Sequence, residues 1–163
     1  MNDKLKKEQE FVALVDGYKR VIYKICYMYA DDDDHFKDLY QEVLINLWRG
    51  FEGYEGAGKL SSWVYRIGLN TCISYFRKYK KMGEGISLEL ILGMQTETDD
   101  RSVQLKEMYR LINRLNKLEK AIILLWLDEK SYDEIAEITG LSRNNIATKL
   151  KRVKGKLATQ ACQ

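Results

Sequence analysis

Ser131-Tyr-Asp-Glu-Ile-Ala-Glu-Ile-Thr-Gly-Leu-Ser142, running on into Arg143-Asn-Asn-Ile-Ala-Thr-Lys-Leu-Lys-Arg-Val-Lys-Gly-Lys-Leu157, is the stretch whose reading decides the fold. Ser131 and Glu134 have the spacing of a capping box, a hydroxyl at the cap and a carboxylate three residues on. The helix they open carries Ile135, Ala136 and Ile138 and stops at Thr139-Gly140, where glycine suits the left-handed position that ends a helix. Leu141 turns inward, and Ser142 caps a second helix whose apolar stripe is Ile146, Leu150, Val153 and Leu157. A short helix, a glycine turn and a capped second helix follow the order of a helix-turn-helix, and Ala136 is small where the two helices must pack closely.

The outward face of the second helix separates a DNA reader from an ordinary helical hairpin. At about 100° per residue, Asn144, Thr148, Lys151 and Gly155 lie opposite the apolar stripe, flanked by Asn145 and Arg152. Arg143, Lys149, Lys151, Arg152, Lys154 and Lys156 give this segment six cations and no acid. A merely solvated face mixes signs. Amide, hydroxyl and guanidinium groups read base edges in the major groove while lysines hold phosphates. The expected DNA contacts are therefore Arg143, Asn144, Asn145, Thr148, Lys149, Lys151 and Arg152.

Upstream, Leu105, Met108, Leu111, Ile112 and Leu115 mark one helix, and Leu118 to Leu127 another. Residues 82 to 104 change character, with Gly83, Gly85, Gly93, Ser87, Thr96 and Thr98 around a short apolar stretch, and read as a linker. Phe11, Leu14, Val15, Tyr18, Ile22, Ile25, Cys26 and Tyr29 recur at helical spacing and predict one amphipathic helix. Asp31 to Asp34 should end it as a solvated loop, with the last aspartate capping the next helix. That helix should run from about Phe36 to Arg49, burying Phe36, Leu39, Tyr40, Val43, Leu44, Leu47 and Trp48. Gly50 to Gly58 holds four glycines in nine residues and must be a loop. A further helix should start near Leu60 or Ser61 and reach about Lys80, ending in the basic run Arg77-Lys-Tyr-Lys-Lys81. The expected fold is all-α: two small helical domains, 1–81 and 105–163, joined by a flexible linker at 82–104.

Composition limits the alternatives. The chain has 163 residues, 45% apolar and 31% charged, and a formal charge of +3. This is globular composition, and its net charge alone identifies no partner. Proline is absent, which favours helices joined by glycine and polar turns. Cys26, Cys72 and Cys162 are far apart, and His35 is the only histidine, so no metal-ligand spacing arises. The cysteines fit free thiols in a reducing cytosol. The opening MNDKLKKEQE has no apolar segment behind its lysines, and the longest apolar run, Ala121 to Leu127, is far short of the ~20 residues that cross a bilayer. A cytoplasmic protein is expected, without catalytic chemistry, cofactor, metal or small-molecule substrate.

Two features of the first half resemble binding surface. Asp38, Gln41, Glu42 and Arg49 form a polar face with Ile45 exposed among them, as protein interfaces often do. Phe51, Tyr54, Lys59, Trp63, Tyr65, Arg66, Asn70, Tyr75 and Arg77 interleave rings with cations and amides, the chemistry that holds unpaired bases and their backbone. The glycine loop before them suits close backbone approach to an extruded base.

Asp38-Leu-Tyr-Gln-Glu42 with Leu47-Trp48, then Ser61-Ser-Trp-Val-Tyr-Arg-Ile-Gly-Leu-Asn70 and Arg77-Lys78, resembles region two of extracytoplasmic-function sigma factors. Leu115 through Leu157, with Ser131-Tyr-Asp-Glu-Ile-Ala136 and Gly140-Leu-Ser142, resembles their region four. Members usually carry proline before the first helix of the reading unit, where this chain has Asn116-Lys117-Leu118. The resemblance implies a sigma factor that binds core RNA polymerase through Asp38, Gln41, Glu42, Ile45 and Arg49. It implies capture of the melted proximal promoter element by Lys59, Ser61, Trp63, Tyr65, Arg66, Asn70 and Arg77. It further implies reading of the distal element by the last helix, control by an anti-sigma factor, and no enzymatic activity.

The linker is long enough for that geometry. Its 23 residues reach roughly 75–80 Å when extended, and two promoter elements two helical turns apart lie about 70 Å from one another. The rival reading is a stand-alone helix-turn-helix regulator with an N-terminal dimerisation or ligand module. It requires a dimer and a palindromic site, and the sequence offers no sustained heptads for the dimer.

Overall fold

Apolar spacing continues unbroken from Phe11 to Tyr29, yet the chain bends within it. The computed structural model describes residues 2–54, 59–75 and 107–161, and among these all regular structure is α-helical. α1 (Asn2–Gly17) and α2 (Lys19–Tyr29) meet at Tyr18, whose φ of −109° and ψ of 15° leave the helical well. The ladder survives the bend: the Tyr18 N–H donates to Leu14 O and the Ile22 N–H to Tyr18 O, both at 3.0 Å. The predicted single helix is thus two helices with a kink, placed at Gly17-Tyr18 where glycine weakens the helix.

α3 (Asp33–Phe51) starts three residues earlier than expected. Asp34 is therefore not its cap but part of its first turn, where a carboxylate faces the positive end of the helix dipole. Nor is the acidic run wholly solvated, because Asp32 is buried, as is His35 after it. α4 (Leu60–Ser74) stops short of the predicted Lys80, with Tyr75 extended at φ −65° and ψ 124°. Near this end the side chains compete for backbone acceptors: Thr71 Oγ1 donates to Ile67 O at 2.7 Å and Ser74 Oγ to Asn70 O at 2.6 Å. Such back-bonding weakens a helix terminus. Residues 76–80, including the predicted helix end and Arg77, lie outside the described residues, as do the linker and Cys162; of the predicted glycine loop, Gly50 and Phe51 instead close α3, and 55–58 lie outside the described residues.

The chain forms two compact units, the first built from α1 to α4 and the second carrying the later helices. In the first, α2 packs on α4. Tyr23 of α2 stacks on Phe36 (5.5 Å) and lies against Tyr40 (4.8 Å) of α3. Asn46 of α3 donates to Thr71 Oγ1 of α4 at 2.9 Å. α1 has no fully buried residue and is held through Phe11, whose ring meets Trp48 edge-on at 5.0 Å and Phe51 at 5.6 Å. Cys26 and Cys72 are buried on α2 and α4; their mutual hydrogen bond, and then burial, push the Cys26 thiol far above its ordinary range.

In the second unit, a helical stretch at 107–112 precedes α5 (Lys117–Leu127), α6 (Tyr132–Thr139) and α7 (Arg143–Ala161). α5 packs on both α6 and α7, and α6 on α7. Ile122 to Leu125, Ile135, Ile138, Ile146, Leu150 and Val153 fill the space between them. Ahead of α5, where the resemblance leads one to expect proline, Asn116 closes a full capping box. Its Oδ1 accepts from the Glu119 N–H (2.8 Å), and its own N–H donates to Glu119 Oε1 (3.1 Å).

Candidate nucleic-acid interface

The α6–turn–α7 segment follows the sequence closely. Ser131 Oγ accepts from the Glu134 N–H at 3.1 Å. The Glu134 carboxylate accepts the Ser131 hydroxyl (3.2 Å) and faces Lys130 Nζ (3.8 Å). Gly140 stands at φ +79°, a conformation costly for any side chain, and its N–H returns to Ala136 O at 2.8 Å. Leu141 is half-buried, and its N–H reaches Thr139 Oγ1 at 3.4 Å. Ser142 Oγ accepts from the Asn145 N–H at 3.1 Å and so caps α7.

On α7, Arg143, Asn144, Asn145, Thr148, Lys151 and Arg152 are exposed, and Lys149 is half-buried. From Asn144 to Arg152 the helix rises about 12 Å, the width of a B-DNA major groove. The Thr148 hydroxyl donates to Asn144 O at 3.0 Å, and the residue is exposed. Of the six cations, Lys149 is half-buried within reach of the Glu119 charge, and the other five fall into two groups. Lys156 Nζ bonds Glu119 Oε2 at 2.6 Å, Lys154 Nζ lies 3.9 Å from the Trp126 ring centre, and Arg143 pairs loosely with Asp133 at 3.5 Å. Lys151 and Arg152 have no ion pair among the described residues. Glu119, Trp126 and Asp133 were invisible to sequence reasoning, because each partner lies at least ten residues away in the chain.

The Glu119 carboxyl is held below its ordinary range. Burial raises it, but the Lys156 ammonium, the Asn116 N–H and the charges of Lys156 and Lys149 together outweigh burial.

In the first unit, the outer face of α3 presents Asp38, Gln41, Ile45 and Arg49 as exposed residues, with Glu42 half-buried. Ile45 is 37% exposed, unusual for an isoleucine beside so much core. On α4, Lys59 at its N-cap and Asn70 in its C-terminal half are exposed, and Ser61, Trp63 and Arg66 are half-buried. Trp63 lies 5.0 Å from Tyr54 and closes on Gly50, where a Cβ would sit 3.2 Å from both its ring and Ile67 Cδ1. Glycine lets the end of α3 approach α4 this closely. Tyr65 corrects the sequence reading: at 4% exposure it belongs to the core beside Leu69 and cannot offer an open ring to a base. Phe51 and Tyr75 also spend their rings on packing, against Phe11 and His35 respectively.

A capped helix-turn-helix whose last helix carries no acid, accompanied by a second helical unit, is the architecture of a DNA-binding protein. Family models agree region by region: residues 14–82 match sigma-70 region 2, and residues 105–157 match sigma-70 region 4. Two Bacillus subtilis proteins are similar across nearly the whole chain. They are the ECF RNA polymerase sigma factor SigW, 26% identical over 94% of this chain and 89% of its own, and the RNA polymerase sigma factor SigV, 28% identical over 91% of both. Among solved structures, CnrH in complex with the cytosolic domain of CnrY shares the fold at a TM-score of 0.68 and 17% identity, covering 94% of this chain and 88% of that one. The sigma factor RpoE in complex with the anti-sigma factor NepR from Bartonella quintana does so at 0.59 and 18%, covering 92% of each. The chain belongs to the extracytoplasmic-function sigma factors of RNA polymerase.

Proposed function

We propose that the two units divide the work of a sigma factor between residues 1–81 and 105–163, with 82–104 linking them. The first unit binds core RNA polymerase through the α3 face of Asp38, Gln41, Glu42, Ile45 and Arg49. It engages the melted proximal element through Lys59, Ser61, Trp63, Arg66 and Asn70. The second unit reads the distal element through Arg143, Asn144, Asn145, Thr148, Lys151 and Arg152, with Lys149 at the edge of that face. The observation that carries this reading is the order of the two region matches, 14–82 then 105–157, ending in a helix with amides and unpaired cations on its outer arc.

The chain works in the cytoplasm and supplies no catalytic chemistry; polymerase makes the RNA. Among the described residues no cluster of His, Cys, Asp or Glu could hold a metal ion, and no helix is long and apolar enough to cross a membrane. An anti-sigma factor controls it on the same reading, supported by the fold relative RpoE, solved in complex with the anti-sigma factor NepR.

The test is co-elution of the purified chain with bacterial core RNA polymerase on a sizing column, with a DNA-only control. A stoichiometric complex that then initiates at selected promoters is expected. A chain that ignores polymerase but dimerises and shifts palindromic DNA would instead be a stand-alone regulator.

A further inference from the structure

Around the axis of α7, the apolar stripe of Ile146, Leu150, Val153 and Leu157 is bracketed by two lysines. Lys154 lies about 80° to one side of Ile146, and Lys156 about 80° to the other. Both are fastened to α5, one to Trp126 in its last turn and one to Glu119 in its first. Glu119 is itself held by the Asn116 cap, so its carboxylate does not swing to follow the lysine. Packing of the apolar stripe, fully buried at Ile146, Leu150 and Val153, sets the coarse roll of the helix, and contacts on its two flanks set the last few degrees. A tie on each flank resists roll in both directions.

We propose that Glu119 and Trp126 are positioning residues for promoter reading: through Lys156 and Lys154 they set the roll of α7 and so aim Asn144, Asn145, Thr148, Lys151 and Arg152 at the groove. The proposal rests on the assignment of α7 as the distal-element reader. It adds that base selectivity depends on two α5 residues that carry no positive charge and lie on the inner side of α7, away from the reading arc. It also assigns Lys154 and Lys156 to the fold rather than to phosphate.

The test uses holoenzyme assembled from core polymerase and the full chain. The probes are a duplex selected by wild-type holoenzyme from a pool randomised over the distal element, and the same duplex with that element scrambled. Selectivity is the ratio of the two affinities. Glu119→Gln keeps the oxygen that accepts the Asn116 N–H but loses the charge that holds Lys156. Trp126→Leu keeps a smaller apolar side chain but loses the ring under Lys154. Each variant is expected to lower selectivity about three- to fivefold, less than the loss of one whole base contact, and the pair about tenfold, comparable to the loss of one. Affinity for the scrambled duplex should hold or rise, since each variant frees a lysine. Lys156→Met should behave like Glu119→Gln, and Lys156→Arg, which can still reach the carboxylate, should keep wild-type selectivity.

Wild-type selectivity in Glu119→Gln, Trp126→Leu and Lys156→Met, with polymerase binding intact, would overturn the positioning role. Lys156→Met and Trp126→Leu act at exposed or half-exposed sites, so they carry the test if Glu119→Gln disturbs folding. Lys151→Glu with Arg152→Glu is the control for the underlying assignment. If that double variant kept selectivity, α7 would not be the reader, and the fault would lie there rather than in the two ties.

Discussion

Salt dependence of DNA binding counts the cations that meet phosphate, and the structure fixes that number for α7. Six basic side chains lie between Arg143 and Lys156. Lys154 and Lys156 are committed to Trp126 and Glu119, and Lys149 sits half-buried on the Glu119 side. Lys151 and Arg152 remain, with Arg143, whose exposed pair with Asp133 holds it by less than about 1 kcal/mol and yields to phosphate. Three phosphate contacts give a slope of log affinity against log salt of about −2.7, where six would give about −5.4. Between 50 and 200 mM salt the α7 share of binding then falls roughly 40-fold rather than roughly 2,000-fold. Lys151→Gln and Arg152→Gln should each flatten the holoenzyme slope by about 0.9, whereas Lys154→Gln and Lys156→Gln, made singly, should leave it within about 0.3. Fluorescence anisotropy of holoenzyme on a labelled selected duplex, titrated at several salt concentrations, measures this directly. Equal flattening by all four variants would refute the division of the cations into reading and fastening groups.

On α3, Leu47→Ala removes a fully buried side chain and should cost roughly 2–5 kcal/mol in denaturant melts, whereas Ile45→Ala should leave stability within about 0.5 kcal/mol and weaken co-elution with core polymerase. Asn116→Ala breaks the reciprocal cap of α5 and should cost about 1–2 kcal/mol by the same melts. The lowered Glu119 carboxyl stabilises the fold above its unfolded value; that contribution should begin to fade as pH drops below about 4.5 and vanish once pH passes its depressed folded value, a component of acid unfolding that Glu119→Gln should remove. Cys26 and Cys72 should resist alkylation in the native chain and react on denaturation, read peptide by peptide by mass spectrometry, because both thiols are buried away from the reagent, and Cys26 is also held protonated by its hydrogen bond with Cys72 and by burial.

The reading unit was legible because its signals are local. Ser131, Gly140 and Ser142 each act on backbone groups within a few residues, and the stripe from Ile146 to Val153 repeats within one helix. Asn116 was harder: the resemblance leads one to expect proline there, and a substitution looks like a loss until Glu119 three residues on is seen to complete the cap. The kink at Tyr18 left no trace in the apolar spacing, because a bend that preserves the hydrogen-bond ladder also preserves the periodicity. Tyr65 was misjudged since a ring between Val64 and Arg66 looks alike from sequence whether it turns in or out; only the packing of α4 decides. The fastening of Lys154 and Lys156 depends on residues at 126 and 119, and no pattern within α7 announces it.

Phe11 has a consequence for the order in which the first unit comes apart. It is the ring contact by which α1 meets Trp48 and Phe51, and α1 is otherwise without a buried residue. The two turns before it stand alone, and a helix that short barely pays its own nucleation in water. Opening of residues 2 to 10 therefore costs the rest of the unit almost nothing, while opening beyond Phe11 uncovers Trp48 and loosens the end of α3. The aromatic ring marks the line between an end that melts alone and a body that melts together, and amide exchange along α1 should slow abruptly there.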